Sequence, residues 1–135
     1  SEFQNKFYVG VASADVFQKL ASQVFLDNLY TVIDYDHSAT ESIIKSSWKV
    51  TYLFINDTLE TEHKTKFILE GKIDNTSFNK LNSFSYHCYL EVHNYFYDGD
   101  KYIEDYSSPF IKKEAKKITE DLMSVFLKKT NMAKY

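Results

Sequence analysis

Three side chains on one predicted strand are of types that could bind a metal ion. His87, Glu91 and His93 all occupy odd-numbered positions, so they share one face of the strand, and Glu91 and His93 lie about 7 Å apart along it. Two ligands on one face bind zinc when a third arrives from a neighbouring strand, and His63 or His37 could supply it. Nothing in the spacing demands such a third ligand. A solvated strand face is therefore the favoured interpretation, and we predict neither a metal site nor a cofactor.

The adjacent residues His87 and Cys88 do not form a nucleophile and its base. Neighbouring residues of a strand point to opposite faces, which holds the imidazole and the thiol apart. Cys88 is the only cysteine of the chain and is predicted to be a small buried apolar residue. The sequence also lacks both glycine-rich phosphate-binding motifs of nucleotide-binding proteins. We therefore predict no catalytic residues and a protein that is not an enzyme.

Tyrosines follow the same strand face and are its most informative feature. A face turned only to solvent would carry lysine, glutamate and threonine, but this one carries Tyr89, Tyr95 and Tyr97. Exposed tyrosines are enriched at protein interfaces because the ring packs against a partner while its hydroxyl keeps a hydrogen bond. We predict a binding surface that comprises Tyr89, Glu91, His93, Tyr95 and Tyr97. The alternative is a second buried layer, formed if the sheet wraps into a half-barrel.

The composition limits the class of protein. The chain has 135 residues, the size of one domain, and 44% of them are hydrophobic, which is enough for a core. Its net charge is −3, and all sixteen of its basic residues are lysine. Because arginine is the usual residue for bidentate phosphate and guanine contacts, we predict no nucleic-acid partner. No run of about 18 apolar residues occurs, so no segment is predicted to span a membrane.

The apolar residues change their period along the chain and so outline the fold. A helical repeat precedes Asn28, with Ser13 as its predicted N-cap and Asn28 as the left-handed residue that follows it. Alternation of period two then runs through most of the chain, and a second helix opens at Pro109. We predict a single α+β domain over residues 1–135. Its fold is an antiparallel sheet of four to five strands, with an N-terminal and a C-terminal helix packed on one face.

The clearest alternation predicts one continuous strand from Ile44 to Phe54. Its apolar face carries Ile44, Trp48, Val50, Tyr52 and Phe54. A sheet that curves around the last helix would enclose an apolar cavity between them. For this cavity we predict a lining of Trp48, Tyr52, Tyr86 and Phe96.

Several stretches near the start of the chain follow one another in a recognisable order. They are Lys6-Phe7-Tyr8-Val9, Ser13-Ala14-Asp15-Val16-Phe17, Leu29-Tyr30-Thr31-Val32-Ile33, Asp36 and Ser42-Ile43-Ile44-Lys45. In pattern they resemble the opening of small bacterial envelope lipoproteins with a BamC-like, TATA-binding-protein-like α+β layout. The resemblance implies an extracytoplasmic, non-catalytic domain whose signal peptide has been removed and whose lipid-anchor cysteine preceded Ser1. A first residue other than Met fits such processing.

These observations lead to two functional hypotheses. The first is a non-catalytic domain of the cell envelope that binds another protein through the aromatic face or the edge of its sheet. The second is a carrier of a small hydrophobic ligand or lipid, held between the curved sheet and the C-terminal helix. The envelope setting and membrane attachment through a lipid anchor come from the resemblance, whereas the two binding surfaces come from the residues.

Overall fold

The computed structural model describes residues 5–73 and 85–132, the last four of these as backbone only. The segment 74–82, which the sequence predicts to be turn-rich with Phe78 and Leu81 tucked into the core, lies outside the described residues. In chain order the elements are β1 (Lys6–Ser13), α1 (Phe17–Asp27), β2 (Val32–His37), β3 (Glu41–Ser46), β4 (Lys49–Ile55), β5 (Thr58–Ile73), β6 (Ser85–Tyr97), β7 (Tyr102–Glu104) and α2 (Pro109–Met132).

The predicted α+β class is confirmed, with an antiparallel sheet and one helix near each end of the chain. The predicted number of strands is wrong, since the described part of the chain forms seven rather than four to five. The long strands β5 and β6 pair with each other at the centre of the sheet. Along the other side of β5 lie β3 and then β4, and along the other side of β6 lie β1 and β7. β2 pairs with β3 at the far edge.

Both helices pack on one face of this sheet, which we call the inner face. Phe17 of α1 meets the Tyr86 ring of β6 edge-on, with centroids 5.2 Å apart, and Phe25 packs 6.4 Å from Phe67 of β5. α2 adds the buried side chains Ile111, Ala115, Ile118, Leu122 and Phe126. Burial of one such large apolar side chain stabilises the fold by about 1.5–3 kcal/mol. The inner face therefore holds the hydrophobic core.

A register change between β3 and β4 overturns the prediction of one continuous strand from Ile44 to Phe54. Lys45 pairs with Ile68 of β5, whereas Lys49 pairs with Thr65. The chain thus advances four residues from Lys45 to Lys49, while β5 advances only three between the paired positions. Because side chains alternate between the two faces, this shift of one residue turns every later side chain of β4 to the opposite face. At this break in the strand pairing, the Ser46 hydroxyl takes the place of a backbone acceptor. It accepts a hydrogen bond from the Phe67 backbone N–H at 2.9 Å.

The ends of α1 differ from the sequence prediction. Ser13 is the last residue of β1, and the helix begins at Phe17. Asn28 has φ −99°, and Leu29 takes the left-handed conformation instead, with φ 65°. The Asn28 amide is buried and donates to the Val24 carbonyl at 2.8 Å and to the Asp121 carboxylate of α2 at 3.0 Å. Its side chain therefore ties the two helices together.

The second helix begins at Pro109, as the sequence predicts. Its exposed side carries Lys112, Lys113, Lys116 and Lys117. Among the described residues, no helix combines the length and apolar character needed to cross a bilayer.

Candidate functional site

The face of the sheet opposite the helices, which we call the outer face, carries all five residues of the predicted binding surface. Along β6 the inner positions are buried, and the alternate positions project outward. The outward row includes Tyr89, Glu91, His93, Tyr95 and Tyr97, of which the first four are half-buried and Tyr97 is exposed. Neighbouring strands extend the row, since β5 places Glu62, Lys64 and Lys66 opposite Tyr97, Tyr95 and His93.

Three aromatic rings surround one lysine near the middle of the outer face. The Lys64 ammonium lies 4.3 Å from the Tyr102 ring centroid, 5.0 Å from that of Trp48 and 5.4 Å from that of Tyr95. Trp48 and Tyr95 meet edge-on with centroids 5.7 Å apart, and the Lys66 ammonium lies 5.0 Å from the Trp48 centroid. We call these five residues the aromatic–lysine cluster. Each ammonium is attracted electrostatically by the π faces around it.

Tyr102, which β7 contributes to the cluster, is held in place by a hydrogen bond to Glu62. The Tyr102 hydroxyl donates to the Glu62 carboxylate, and this bond raises the pKa of Tyr102 above its ordinary value. The Tyr97 ring lies 5.3 Å from that of Tyr102. Tyr102 therefore stays a neutral donor, and its ring is held beside Lys64.

A second group of rings occupies the other end of the outer face. The Tyr8 ring of β1 lies 5.4 Å from Tyr89 and 5.9 Å from His87, and its hydroxyl is 3.1 Å from His87 Nδ1. Lys6 lies 5.7 Å from the Tyr89 centroid and 3.6 Å from the Glu70 carboxylate. Glu70 also pairs with Lys72 at 2.8 Å. At this end, unlike in the aromatic–lysine cluster, the lysines have a carboxylate partner.

The candidate zinc ligands do not come together. Glu91 and His93 are neighbours, with Oε2 3.0 Å from Nε2. His63 lies on the inner face, buried beside Phe110, and His37 lies on β2, where its Nδ1 is 2.7 Å from the Ser42 hydroxyl. In the part of the chain that the structure describes, no group of three or more histidine, cysteine, aspartate or glutamate side chains is placed to hold a metal ion.

His87 and Cys88 point to opposite faces, as their positions in the alternation require. His87 projects outward beside Tyr8, while Cys88 is fully buried in the core. Burial raises the pKa of the Cys88 thiol to about 12. A nucleophilic thiolate therefore does not form there near neutral pH.

The four residues predicted to line a cavity do not line one together. Tyr86 is only 1% exposed in the core, and Phe96 lies on the same inner face beside His63. Trp48 and Tyr52, which are 41% and 54% exposed, lie on the outer face. The cause is the register change between β3 and β4, which turns Trp48 and Tyr52 away from the helices.

In the part of the chain that the structure describes, apolar grooves instead lie where α2 packs beside β1. The smaller, of about 250 Å³, is lined by Phe7, Val92, Tyr106, Ile111, Lys112, Ala115, Lys116 and Thr119. The larger, of about 650 Å³, is lined by Tyr8, Val9, Gly10, Val11, Glu120, Met123, Ser124, Phe126 and Leu127. Along α2 the smaller groove is lined from Ile111 to Thr119 and the larger from Glu120 to Leu127, so the two grooves follow one another along the helix.

Reasoning from the sequence missed three members of the aromatic–lysine cluster. Lys64 and Lys66 lie two residues apart on a strand, which signals a shared face but not proximity to Tyr95. Tyr102 comes from the short strand β7, and its place beside Lys64 depends on the pairing of three strands. A two-residue spacing of lysines in a strand next to an aromatic row is the signal that could have identified them.

Comparison with known proteins adds no family assignment. No protein-family model matches this sequence, and no curated protein matches it.

Proposed function

We propose that this chain is a non-catalytic domain that binds another protein through the outer face of its sheet. The observation that carries the proposal is the aromatic–lysine cluster together with the tyrosine row beside it. Trp and Tyr are the residues most enriched at the energetic centres of protein interfaces. In the extracytoplasmic setting implied by the lipoprotein resemblance, the partner is another envelope protein, and the chain is attached to the membrane through a lipid anchor.

The contacts within the outer face support this proposal energetically. Trp48 is held by Tyr95 and two lysines, and Tyr102 by Glu62 and Tyr97. Rings that are already fixed before binding lose little conformational entropy when a partner covers them. Beside them, Val50 and Tyr52 expose apolar surface on β4. The described helices pack on the other face of the sheet. Trp48, Val50 and Tyr52 are therefore not part of the hydrophobic core between the sheet and the helices.

A photo-crosslinking experiment in cells of the source organism tests the proposal. A benzophenone amino acid replaces Tyr95 in one protein and Lys113, on the exposed side of α2, in the control. We expect one defined protein adduct from position 95 and none from position 113. The crosslinked protein is then purified, and its affinity for the wild-type chain and for Tyr95→Ala is measured. Equal affinity for both chains, or adducts of the same identity at both positions, would contradict the proposal.

A second candidate function is the carriage of a small hydrophobic ligand or lipid, and the grooves between β1 and α2 support it. Their lining is largely apolar, and their combined length follows α2 from Ile111 to Leu127. Native mass spectrometry of the purified chain tests this function. We expect a co-purifying lipid that Met123→Gln reduces, whereas a ligand-free chain that binds no apolar dye would contradict carriage.

A further inference from the structure

We infer that the partner of the outer face is acidic where it covers the aromatic–lysine cluster, an inference that rests on the proposed protein-binding function. The starting observation is the position of the Lys64 ammonium among three aromatic rings, at 4.3 to 5.4 Å from their centroids. A partner that contacts Trp48, Tyr95 and Tyr102 must therefore cover Lys64 as well. Lys66, on the same Trp48 ring, is covered with it.

Neither lysine has a carboxylate partner among the described residues. The lysine ion pairs described on this face join Lys6 and Lys72 to Glu70, at 3.6 and 2.8 Å, and none includes Lys64 or Lys66. The two ammonium groups of the cluster thus lie against aromatic π faces and form no ion pair with a described carboxylate. In water this arrangement is stable, because solvent completes the hydration of each ammonium.

The nearby carboxylates are already engaged elsewhere. Glu62 accepts a hydrogen bond from Tyr102, and Glu91 lies 3.0 Å from His93. Glu104 accepts a hydrogen bond from Tyr106 at 2.7 Å. These contacts orient each carboxylate toward a tyrosine or a histidine. Among the described ion pairs, none of these three carboxylates is paired with Lys64 or Lys66.

The loss of water from Lys64 and Lys66 on binding determines which partner chemistry is favourable. A partner without negative charge would remove water from two ammonium groups and supply no counter-charge, which is unfavourable. A partner with aspartate or glutamate at these positions replaces the lost water by charge-assisted hydrogen bonds. Val50, which pairs in register with Lys64, and Tyr52 beside it expose apolar surface. A protein segment that combines acidic and apolar side chains fits both features, whereas a polyanionic sugar matches only the charge.

Trp48 is the only tryptophan of the chain, so its fluorescence reports directly on this site. The probe is a random copolymer of glutamate and tyrosine, compared with a copolymer of lysine and tyrosine and with heparin. Each is titrated into wild-type chain, into Lys64→Gln/Lys66→Gln, and into a matched control, Lys113→Gln/Lys128→Gln, at two exposed positions of α2. A third variant, Lys64→Arg/Lys66→Arg, keeps the positive charges and tests for rescue.

We expect the acidic copolymer to change Trp48 emission and to bind the Gln pair on β5 roughly tenfold or more weakly than wild type. The α2 control and the Arg variant should bind like wild type, and added salt should weaken binding. Binding of the acidic copolymer that is unchanged in the β5 variant, or stronger binding of the basic copolymer, would overturn the inference. Binding of heparin alone would also overturn it. In these cases the crosslink at position 95 decides separately whether the face binds a protein.

Discussion

The missing side chain of Gly71 on β5 leaves the space that the Tyr86 ring of β6 fills. A Cβ atom at Gly71 would lie 2.8 Å from Tyr86 Cδ2 and 2.9 Å from Cγ, closer than carbon atoms pack. The Tyr86 hydroxyl lies 2.9 Å from that of Ser42, which holds the ring in place. Tyr86 is therefore a packed core residue and not the wall of a ligand cavity.

We expect Gly71→Ala to lower the free energy of unfolding by about 1–3 kcal/mol, because the added methyl group displaces the Tyr86 ring. Urea unfolding measures this change. In a Tyr86→Val background, Gly71→Ala should lower the free energy of unfolding much less, because the ring that the methyl group would displace is absent. Alanine also reduces the conformational freedom of the unfolded chain, which favours the folded state. Equal costs in both backgrounds would show that the contact with Tyr86 is not the cause.

The contact between Trp48 and Tyr95 predicts a fluorescence change. Tyr95→Ala removes the edge-on partner of the only tryptophan, so its emission should move to longer wavelength and acrylamide should quench it faster. The lost ring contact should lower the free energy of unfolding by about 0.5–1.5 kcal/mol. Tyr89→Ala is the matched control, because Tyr89 packs against Tyr8 at the other end of the outer face. Equal spectral changes in both variants would contradict the cluster geometry.

Buried His63 predicts a loss of stability in mild acid. Burial lowers its pKa below the ordinary value of 6.5, although the negative charge of Asp105 opposes the shift. Below pH 6.5 the unfolded chain binds a proton at His63 that the folded chain does not. The stability contributed by neutral His63 is therefore present above pH 6.5 and is lost as the pH falls toward the folded-state pKa.

Urea unfolding of wild type and His63→Gln between about pH 5 and pH 8 tests this prediction. Glutamine can still accept the hydrogen bond from Asn94, but it does not titrate. The difference in free energy of unfolding between the two proteins should be constant above about pH 7. Below pH 6.5 wild type should lose stability relative to His63→Gln. Parallel curves over the whole range would show that His63 does not cause the acid sensitivity.

The raised pKa of Cys88 predicts an unreactive thiol. Because burial raises this pKa to about 12, a thiol reagent at pH 8 meets almost no thiolate in the folded protein. We expect labelling only after urea unfolds the chain, with a rate that rises when a core substitution such as Leu90→Ala destabilises the fold. Rapid labelling of the stable native protein would contradict the buried position of Cys88.

Some of the outer face could be predicted from the sequence because a strand alternates with a period of two. Along β6 this period separates the buried Tyr86, Cys88 and Leu90 from the outward tyrosines, without knowledge of the neighbouring strands. Pro109 likewise marks the start of α2, since proline needs no backbone partner at the first helical position. These features depend on local geometry alone.

Trp48 shows what only the tertiary structure decides. Its even-numbered position matches that of buried Ile44, yet it lies on the opposite face, because the chain gains one residue of register against β5 between Lys45 and Lys49. The approach of Lys64 to Tyr102 likewise requires the pairing of β5, β6 and β7. Register depends on hydrogen bonds between strands distant in sequence, so the alternation within one strand determined which residues share a face, and strand pairing decided which faces and side chains meet.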